Sequence, residues 1–226
     1  MQEMTSDSVL ENGGQIIFPL PKIEIVSSSN YKKILITGIT GQLGTYLLDK
    51  LVALDEKLII YGTINTKETY LSTIFYIPFN ILLTTINMLM YNKRDDCQIF
   101  NFASITDAQE SIKNPLLTFD INGIIPLKIC ETILLLNKSI RFFNCCSSEL
   151  FKGLNKKIIR ESNLNEIYPT TPYGIAKLTA YWTLRYYRET YGLYVVNGII
   201  FNTESKLRGS NFITTKIAQK VKQVKE

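Results

Sequence analysis

The sequence predicts an α/β domain built on a doubly wound parallel sheet, and three observations carry that expectation. Strand-like and helix-like apolar patterns alternate from about residue 32 onward. The first strand-like run opens directly into a glycine-rich turn, and an amphipathic helix pattern follows it. The 226 residues are 46% hydrophobic and 20% charged, the balance of a globular domain with one sizeable core.

Met1 to Tyr31 is polar and turn-rich, with Asn12-Gly13-Gly14, two prolines and Ser27-Ser28-Ser29-Asn30. We read residues 1–31 as an N-terminal extension, partly disordered, in which Ile16 to Phe18 and Ile23 to Val26 offer short edge strands. Residues 32–226 are read as one domain. Lys33 to Thr37 is β-branched and apolar, as in a strand buried on both faces. After the turn Gly38-Ile39-Thr40-Gly41-Gln42-Leu43-Gly44, the segment Thr45 to Leu54 carries Tyr46, Leu47, Leu48, Leu51, Val52 and Leu54 at helical spacing. Lys57 to Ile64 reads as a second strand, Thr73 to Phe79 as a weaker third and Gln98 to Ala103 as a fourth. Helices are expected over Leu82 to Tyr91 and, at greater length, over Pro115 to Leu136. Ile140 to Cys145 is the fifth strand, Pro172 to Tyr191 a helix and Tyr194 to Phe201 the sixth strand. The last helical stretch sets Ile213, Ile217, Val221 and Val224 on one face. Such alternation implies right-handed crossovers and helices on both sheet faces.

The glycine turn is the first feature with chemistry in it. One glycine permits a tight bend, another lets backbone approach a pyrophosphate, and the last lets the helix sit close on the strand. The helix N-terminus then offers free N–H groups to phosphate, so the strand, turn and helix together point to a dinucleotide. The second feature is Tyr173-Gly174-Ile175-Ala176-Lys177, which puts a phenol and an ammonium on one helix face. An ammonium so placed is expected to draw the phenol toward the range of a general base, although a surface pair with a packed ring gives the same pattern. Ser147, Ser148 and Glu149 follow the fifth strand at the carboxyl end of the sheet, where ligands bind, although side chains there also serve as helix caps.

The sequence holds no histidine, which removes the usual hydrolase base and leaves Glu, Lys and Tyr for proton chemistry. The four cysteines, Cys97, Cys130, Cys145 and Cys146, form no CxxC pair, so no metal is expected. Adjacent Cys145 and Cys146 would face opposite sides of a strand, which fits a reduced, cytoplasmic protein. A net charge of +5 with dispersed lysines suggests no nucleic acid, and Lys216, Lys220, Lys222 and Lys225 read as a solvated helix face. Residues Ile77 to Tyr91 are too short and too polar for a membrane span, and the N-terminus does not look like a secretion signal.

Several stretches together resemble the GDP-mannose 4,6-dehydratases, which are extended short-chain dehydrogenases/reductases. They are the glycine turn, Ser147-Ser148-Glu149-Leu150-Phe151, Pro172-Tyr173-Gly174-Ile175-Ala176-Lys177, Tyr181-Trp182 and Asn197 through Ser205. The resemblance runs from about Lys32 to the last residue and continues through Leu207-Arg208-Gly209-Ser210-Asn211-Phe212. It implies a Rossmann-like fold, a nucleotide-sugar substrate, with GDP-mannose suspected, and NADP as cofactor, NAD being the alternative. Tyr173 would take the proton of the hexose 4-hydroxyl, Lys177 would hold the tyrosinate and the nicotinamide ribose, and Ser147 would bond the sugar oxygen. Glu149 would remove the proton alpha to the new ketone and help water leave C6. The dinucleotide would lie against Gly38, Thr40, Gly41, Gln42, Leu43, Gly44, Asn65, Asn80, Ile81, Phe102, Ala103, Ser104, Thr203 and Arg208.

The sequence also departs from the family pattern. Leu43 stands where an acidic residue is usual, Thr203 where a histidine is usual, and Asn65 and Thr66 where arginines meet a 2′-phosphate. Asn101-Phe102-Ala103-Ser104-Ile105-Thr106-Asp107 occupies the segment where the family usually shows a glutamine, a serine and a histidine. A lobe that grips the sugar follows this region in the family, and the sequence ending at Glu226 is expected to lack it. Pro115 to Leu136 and Pro172 to Tyr191 resemble the dimer-forming helix pair of the superfamily, so a homodimer is expected. Two other readings stay open. One is a non-catalytic dinucleotide-binding or interaction module, and the other is an epimerase or reductase, against which Glu149 argues.

Overall fold

The computed structural model of the chain describes residues 32–54, 57–64, 74–78 and 96–225. The expected extension, the expected helix from Leu82 to Tyr91, and Asn65, Asn80 and Ile81 lie outside the described residues. Strand β1 (Lys32–Thr37) is buried from Lys33 onward because helices cover both of its faces. Ile34 and Ile36 point to one side, where they meet Ile60, Ile39 and Leu48 of α1 (Gln42–Val52). Leu35, between them, points to the other side with Tyr61, Ile99 and Phe142. This alternation divides the apolar core into two layers around a single sheet.

The remaining strands are β2 (Leu58–Ile64), β3 (Ile74–Pro78), β4 (Cys97–Asn101), β5 (Arg141–Ser147) and β6 (Val195–Ile200). They form one sheet of order β3-β2-β1-β4-β5-β6, parallel at every pairing. The order reverses between β1 and β4, so a crevice opens beyond their carboxyl ends. The fold is Rossmann-like, as the sequence predicts. Strand β5 runs two residues further than expected, so Ser147 closes the strand instead of following it.

Two helical details differ from expectation. A short helix, α2 (Ala108–Lys113), precedes the long one, and its first turn is fixed by Asp107, whose carboxylate accepts from the Gln109 N–H at 2.8 Å. The long helix expected from Pro115 to Leu136 is continuous in direction but not in type. It begins as α3 (Pro115–Phe119), widens to a π turn at Asp120–Ile124 and resumes as α4 (Ile125–Leu136). Pro126 explains the widening, since it has no N–H to give the Asn122 carbonyl and its ring would clash there.

Helix α5 (Pro172–Tyr191) has the expected limits because both ends carry sequence signals. Thr171 caps the start by accepting from the Gly174 N–H at 3.1 Å, Pro172 needs no partner in the first turn, and Gly192 takes the left-handed conformation at φ 69° to end it. Ile129, Ile133, Leu184 and Tyr187 of α4 and α5 fill the core opposite α1. After β6 the chain forms α6 (Ile213–Lys225), where Ile213, Ile217, Val221 and Val224 are all exposed.

The cradle between β1 and α1 depends on Gly44. A Cβ there would stand 2.4 Å from the Gly38 carbonyl oxygen and 2.7 Å from Ile39 Cα, both of them backbone. We expect Gly44→Ala to destabilise the domain by about 1–3 kcal/mol, as overpacking against rigid neighbours does, read by urea unfolding. An unchanged midpoint would mean that the turn opens freely.

Candidate active site

The turn after β1 is shaped by its first glycine. Gly38 has φ +66°, and a Cβ there would lie 2.8 Å from the Ala103 nitrogen. Its N–H donates to Thr63 Oγ1 at 3.1 Å, which ties the turn to the end of β2. Gly41 then begins α1 with no side-chain cap, and the first turn holds no acidic residue. The free N–H groups of that turn therefore face outward with a partial positive charge.

Beyond the turn lies a cleft of about 560 Å³. Gly38, Thr40, Gly41, Gln42, Leu43 and Gly44 line one end, Phe102, Ala103 and Ser104 a side, and Tyr173 and Lys177 the inner wall. Thr203 and Arg208 close it from the segment after β6. Every dinucleotide-contacting residue expected from the sequence and described by the structure lines this one space. Two side chains hold the closing segment. Gln42 Nε2 donates to the Thr203 carbonyl at 3.2 Å, and Asn211 Nδ2 donates to Asp107 Oδ2 at 2.8 Å. Arg208 stacks with its guanidinium carbon 3.7 Å from the Phe212 ring centroid, and its Nε is buried with no hydrogen bond. Glu204 Oε2, 3.7 Å from that nitrogen, is its counter-charge. A guanidinium and an uncapped helix start lining one cleft fit a phosphate-bearing ligand.

Tyr173 and Lys177 sit on the buried face of α5, 8% and 2% exposed. Lys177 Nζ donates to the Cys145 carbonyl at 2.8 Å and lies 5.9 Å from the Tyr173 ring centroid. Burial pulls the Lys177 pKa down, and the charges of Cys145 and Cys146 push it up. For Tyr173 the sequence expectation is corrected. Burial pushes the phenol up to about 12, a hydrogen bond from Ser147 acts against this, and the charges of Cys145, Cys146 and Glu149 add to it. Burial outweighs the Lys177 ammonium, which keeps its charge and gives one N–H to the Cys145 carbonyl.

Ser147 and Glu149 stand behind the phenol and do not line the cleft. Ser147 Oγ accepts from the Glu149 N–H at 3.2 Å and caps the short 3-10 turn Ser148–Phe151. Capping and contact with the phenol are thus combined in one hydroxyl. Glu149 Oε2 is closed to solvent and takes no aligned hydrogen bond, but the Lys152 ammonium faces it at 3.0 Å. Ser147 and Glu149 thus neighbour Tyr173 at the carboxyl end of β5, outside the lining of the cleft that Tyr173 and Lys177 share.

The sequence model of the GDP-mannose 4,6 dehydratase family matches residues 35–226. The chain belongs to that family. It is 32% identical over 208 residues to the GDP-mannose 4,6-dehydratase of Yersinia enterocolitica, covering 85% of this chain and 55% of that protein. To the GDP-mannose 4,6 dehydratase of Homo sapiens it is 31% identical, covering 84% of this chain and 55% of the human protein. The chain thus spans little more than half the length of the curated relatives it matches. Among solved structures, UDP-glucuronic acid 4-epimerase of Bacillus cereus in complex with NAD matches at TM-score 0.71 and 17% identity, covering 85% of this chain and 63% of that one. The dTDP-glucose 4,6-dehydratase of Bacillus anthracis, also in complex with NAD, matches at TM-score 0.69 and 19% identity, covering 85% and 62%. These two likenesses are of fold.

The family pattern does not name every residue that shapes the site. Cys145 lines the cleft and supplies the carbonyl that holds Lys177, while Cys146 packs on the other side with Leu150, Phe151 and Tyr181. This is the opposite-face arrangement expected of neighbours in a strand. Asn122, in the π turn, accepts from Ser104 Oγ and the Ile105 N–H and donates to the Ile105 carbonyl, each at 2.9 to 3.0 Å, and so fixes the cleft wall. An Asn-Gly pair ahead of a proline inside a long apolar helix pattern was the available signal for it.

The buried phenol has a thermodynamic consequence. Tyrosine in an unfolded chain ionises near pH 10, and Tyr173 in the fold near about 12. Its neutral form therefore contributes stability that is whole below about pH 10 and lost as the pH rises through about 12. We expect the protein to lose about 2–3 kcal/mol more than Tyr173→Phe between those limits, by urea unfolding at each pH. Equal losses would remove Tyr173 as a buried neutral phenol.

Proposed function

We propose that the chain is the dinucleotide-binding and catalytic domain of a nucleotide-sugar 4,6-dehydratase, a lyase that converts GDP-mannose to GDP-4-keto-6-deoxymannose. The single observation that supports this most is that one cleft is lined both by the glycine turn and by Tyr173 and Lys177. NADP is the proposed cofactor, with NAD as the alternative, because no acidic residue ends β2 to select a free ribose 2′-hydroxyl. The chemistry such a cofactor would supply, held by the glycine turn and Lys177, is reversible hydride transfer, from C4 of the sugar and back to C6.

The residues of the chain divide the remaining work. The turn from Gly38 to Gly44 and the start of α1 would hold the pyrophosphate, and Arg208, which lines the same cleft, would meet a phosphate with its guanidinium. Lys177 would hold the ribose. Tyr173 would accept the proton of the 4-hydroxyl, with Ser147 bonding the sugar oxygen beside it. Glu149 would take the proton from C5, which the C4 ketone makes acidic, and give it to the departing C6 hydroxyl. The exposed apolar residues Leu116, Ile175, Trp182 and Tyr186 of α3 and α5 support a homodimer across these helices. Among the described residues no helix is long and apolar enough to cross a membrane, and a cytoplasmic site of action is part of the proposal.

A second reading, a dinucleotide-binding module without turnover, is favoured by the resting state of the base. The phenol is held high and Lys177 is occupied by a carbonyl. Titration of NADP(H) and NAD(H) against the purified chain, followed by incubation with GDP-mannose, separates the two. A 4-keto product supports the lyase, binding alone supports the module, and absence of binding overturns both. In the active case, Glu149→Gln is expected to lower keto-sugar formation by about 10²–10⁴-fold, with dinucleotide affinity unchanged. Undiminished turnover in that variant would take the C5 proton away from Glu149 and leave an epimerase or reductase.

A further inference from the structure

Four polar side chains stand in register across four strands beneath the cleft. Thr37 of β1 pairs with Asn101 of β4, Asn101 with Asn144 of β5, and Asn144 with Asn197 of β6. Three of them are closed to solvent, Thr37 and Asn144 at 0% and Asn101 at 2% exposure. Their side chains are joined in one line. The Ala103 N–H donates to Thr37 Oγ1 at 3.1 Å, Thr37 Oγ1 to Asn101 Oδ1 at 2.5 Å, and Asn101 Nδ2 to Asn144 Oδ1 at 2.9 Å. Asn144 Nδ2 then donates to Asn197 Oδ1, and Asn197 Nδ2 to the Tyr181 carbonyl of α5, each at 3.1 Å.

Every bond in this line donates in the same direction, from the cleft wall to the helix. An asparagine amide offers an oxygen on one side and an NH₂ on the other, so a single reversed amide would set donor against donor. Bonds aligned this way polarise one another, and in a dry interior a broken link leaves two groups unpaired. Apolar side chains at these positions would bury without needing partners, so stability alone does not account for the line.

Its ends lie where the site is built. Thr37 is followed by Gly38, Asn144 by Cys145, whose carbonyl holds Lys177, and Tyr181 lies one helical turn beyond Lys177. We infer that Thr37, Asn101, Asn144 and Asn197 are one positioning unit that fixes the separation between the glycine cradle and the Tyr173–Lys177 face of α5, and through it the affinity for a dinucleotide. The affinity part rests on the dinucleotide-binding reading above.

The test compares Asn144→Leu with Phe142→Leu, a change on the same strand and the same buried side but outside the line. Both are measured for Tm, for hydrogen exchange of the Ala103 amide and for NADP(H) binding. At matched Tm, Asn144→Leu is expected to speed Ala103 exchange and to raise the NADP(H) Kd, each by at least about tenfold over Phe142→Leu, as loss of one link in a coupled network does. Asn197→Leu, at the half-buried end of the line, gives the same reading if Asn144→Leu does not fold. Exchange at Ala103 that moves no more than in Phe142→Leu overturns the unit. If the unaltered chain binds neither NADP(H) nor NAD(H), the dinucleotide reading falls, and the exchange of Ala103, whose N–H is held by Thr37 two strands away from Asn144, still decides the line.

Discussion

Lys177 brings an ammonium into a place where only 2% of the residue meets solvent, and a single backbone carbonyl answers it. An isolated cation in such surroundings costs several kcal/mol, so the position of that carbonyl is the tightest constraint on the site. It belongs to Cys145, and β5 cannot shift by one residue without reversing the direction of the carbonyl at that place and turning every side chain to the other face. Pairing with β4 on one side and β6 on the other fixes that register. A second contact runs the other way, from the Cys146 thiol to the Lys177 carbonyl at 3.7 Å. Strand and helix are thus joined by two reciprocal bonds at the residue that matters most.

Close approach of the neighbouring helices is the other requirement, and the widened turn before Pro126 meets it. Gly123 in that turn lies against Ala176, where a Cβ would stand 3.3 Å from the Ala176 carbonyl oxygen. Asn122, beside it, uses its amide on Ser104 and Ile105 at the cleft wall. One irregularity in a helix therefore sets both how near α5 comes and where the wall of the cleft stands. A regular helix over the same residues would give neither, and Pro126 rules it out.

The parts legible in the sequence were those governed by local chemistry. The limits of α5 were written in Thr171, Pro172 and Gly192, and the glycine cradle in three residues with nothing between them to confuse the pattern. The order of elements gave a parallel sheet, and the cleft-lining residues followed from position at strand ends. Less legible were features that depend on distant partners. The aim of the Lys177 side chain is decided by the Cys145 carbonyl thirty-two residues away, so spacing on a helix face indicated proximity to Tyr173 but not which group the ammonium would choose. Helix α2 was missed because six residues carry too little periodicity, although Asp107 marked its start. The asparagine line shows the same limit, since no single strand reveals that its polar residue has a counterpart at the same level of the next.

A phenol held near pKa 12 is ionised at neutral pH in on the order of one molecule in 10⁵, too few for a working base. Ser147 already contributes what a hydrogen bond can, and the nearby thiols and Glu149 act in the wrong direction. The positive charge that faces the ring is the Lys177 ammonium. The chain holds no histidine, and the ammonium stands 5.9 Å from the ring centroid with one of its three donors on the Cys145 carbonyl. On the proposed reading, a bound dinucleotide would lower the phenol further, by adding positive charge beside it or by turning Lys177 from the Cys145 carbonyl toward it. Both routes lower the phenol only when the cleft is filled. On that reading Tyr173 would act as a base only in the filled cleft, and the burial that raises its pKa makes any charge placed beside it count for more than it would in water.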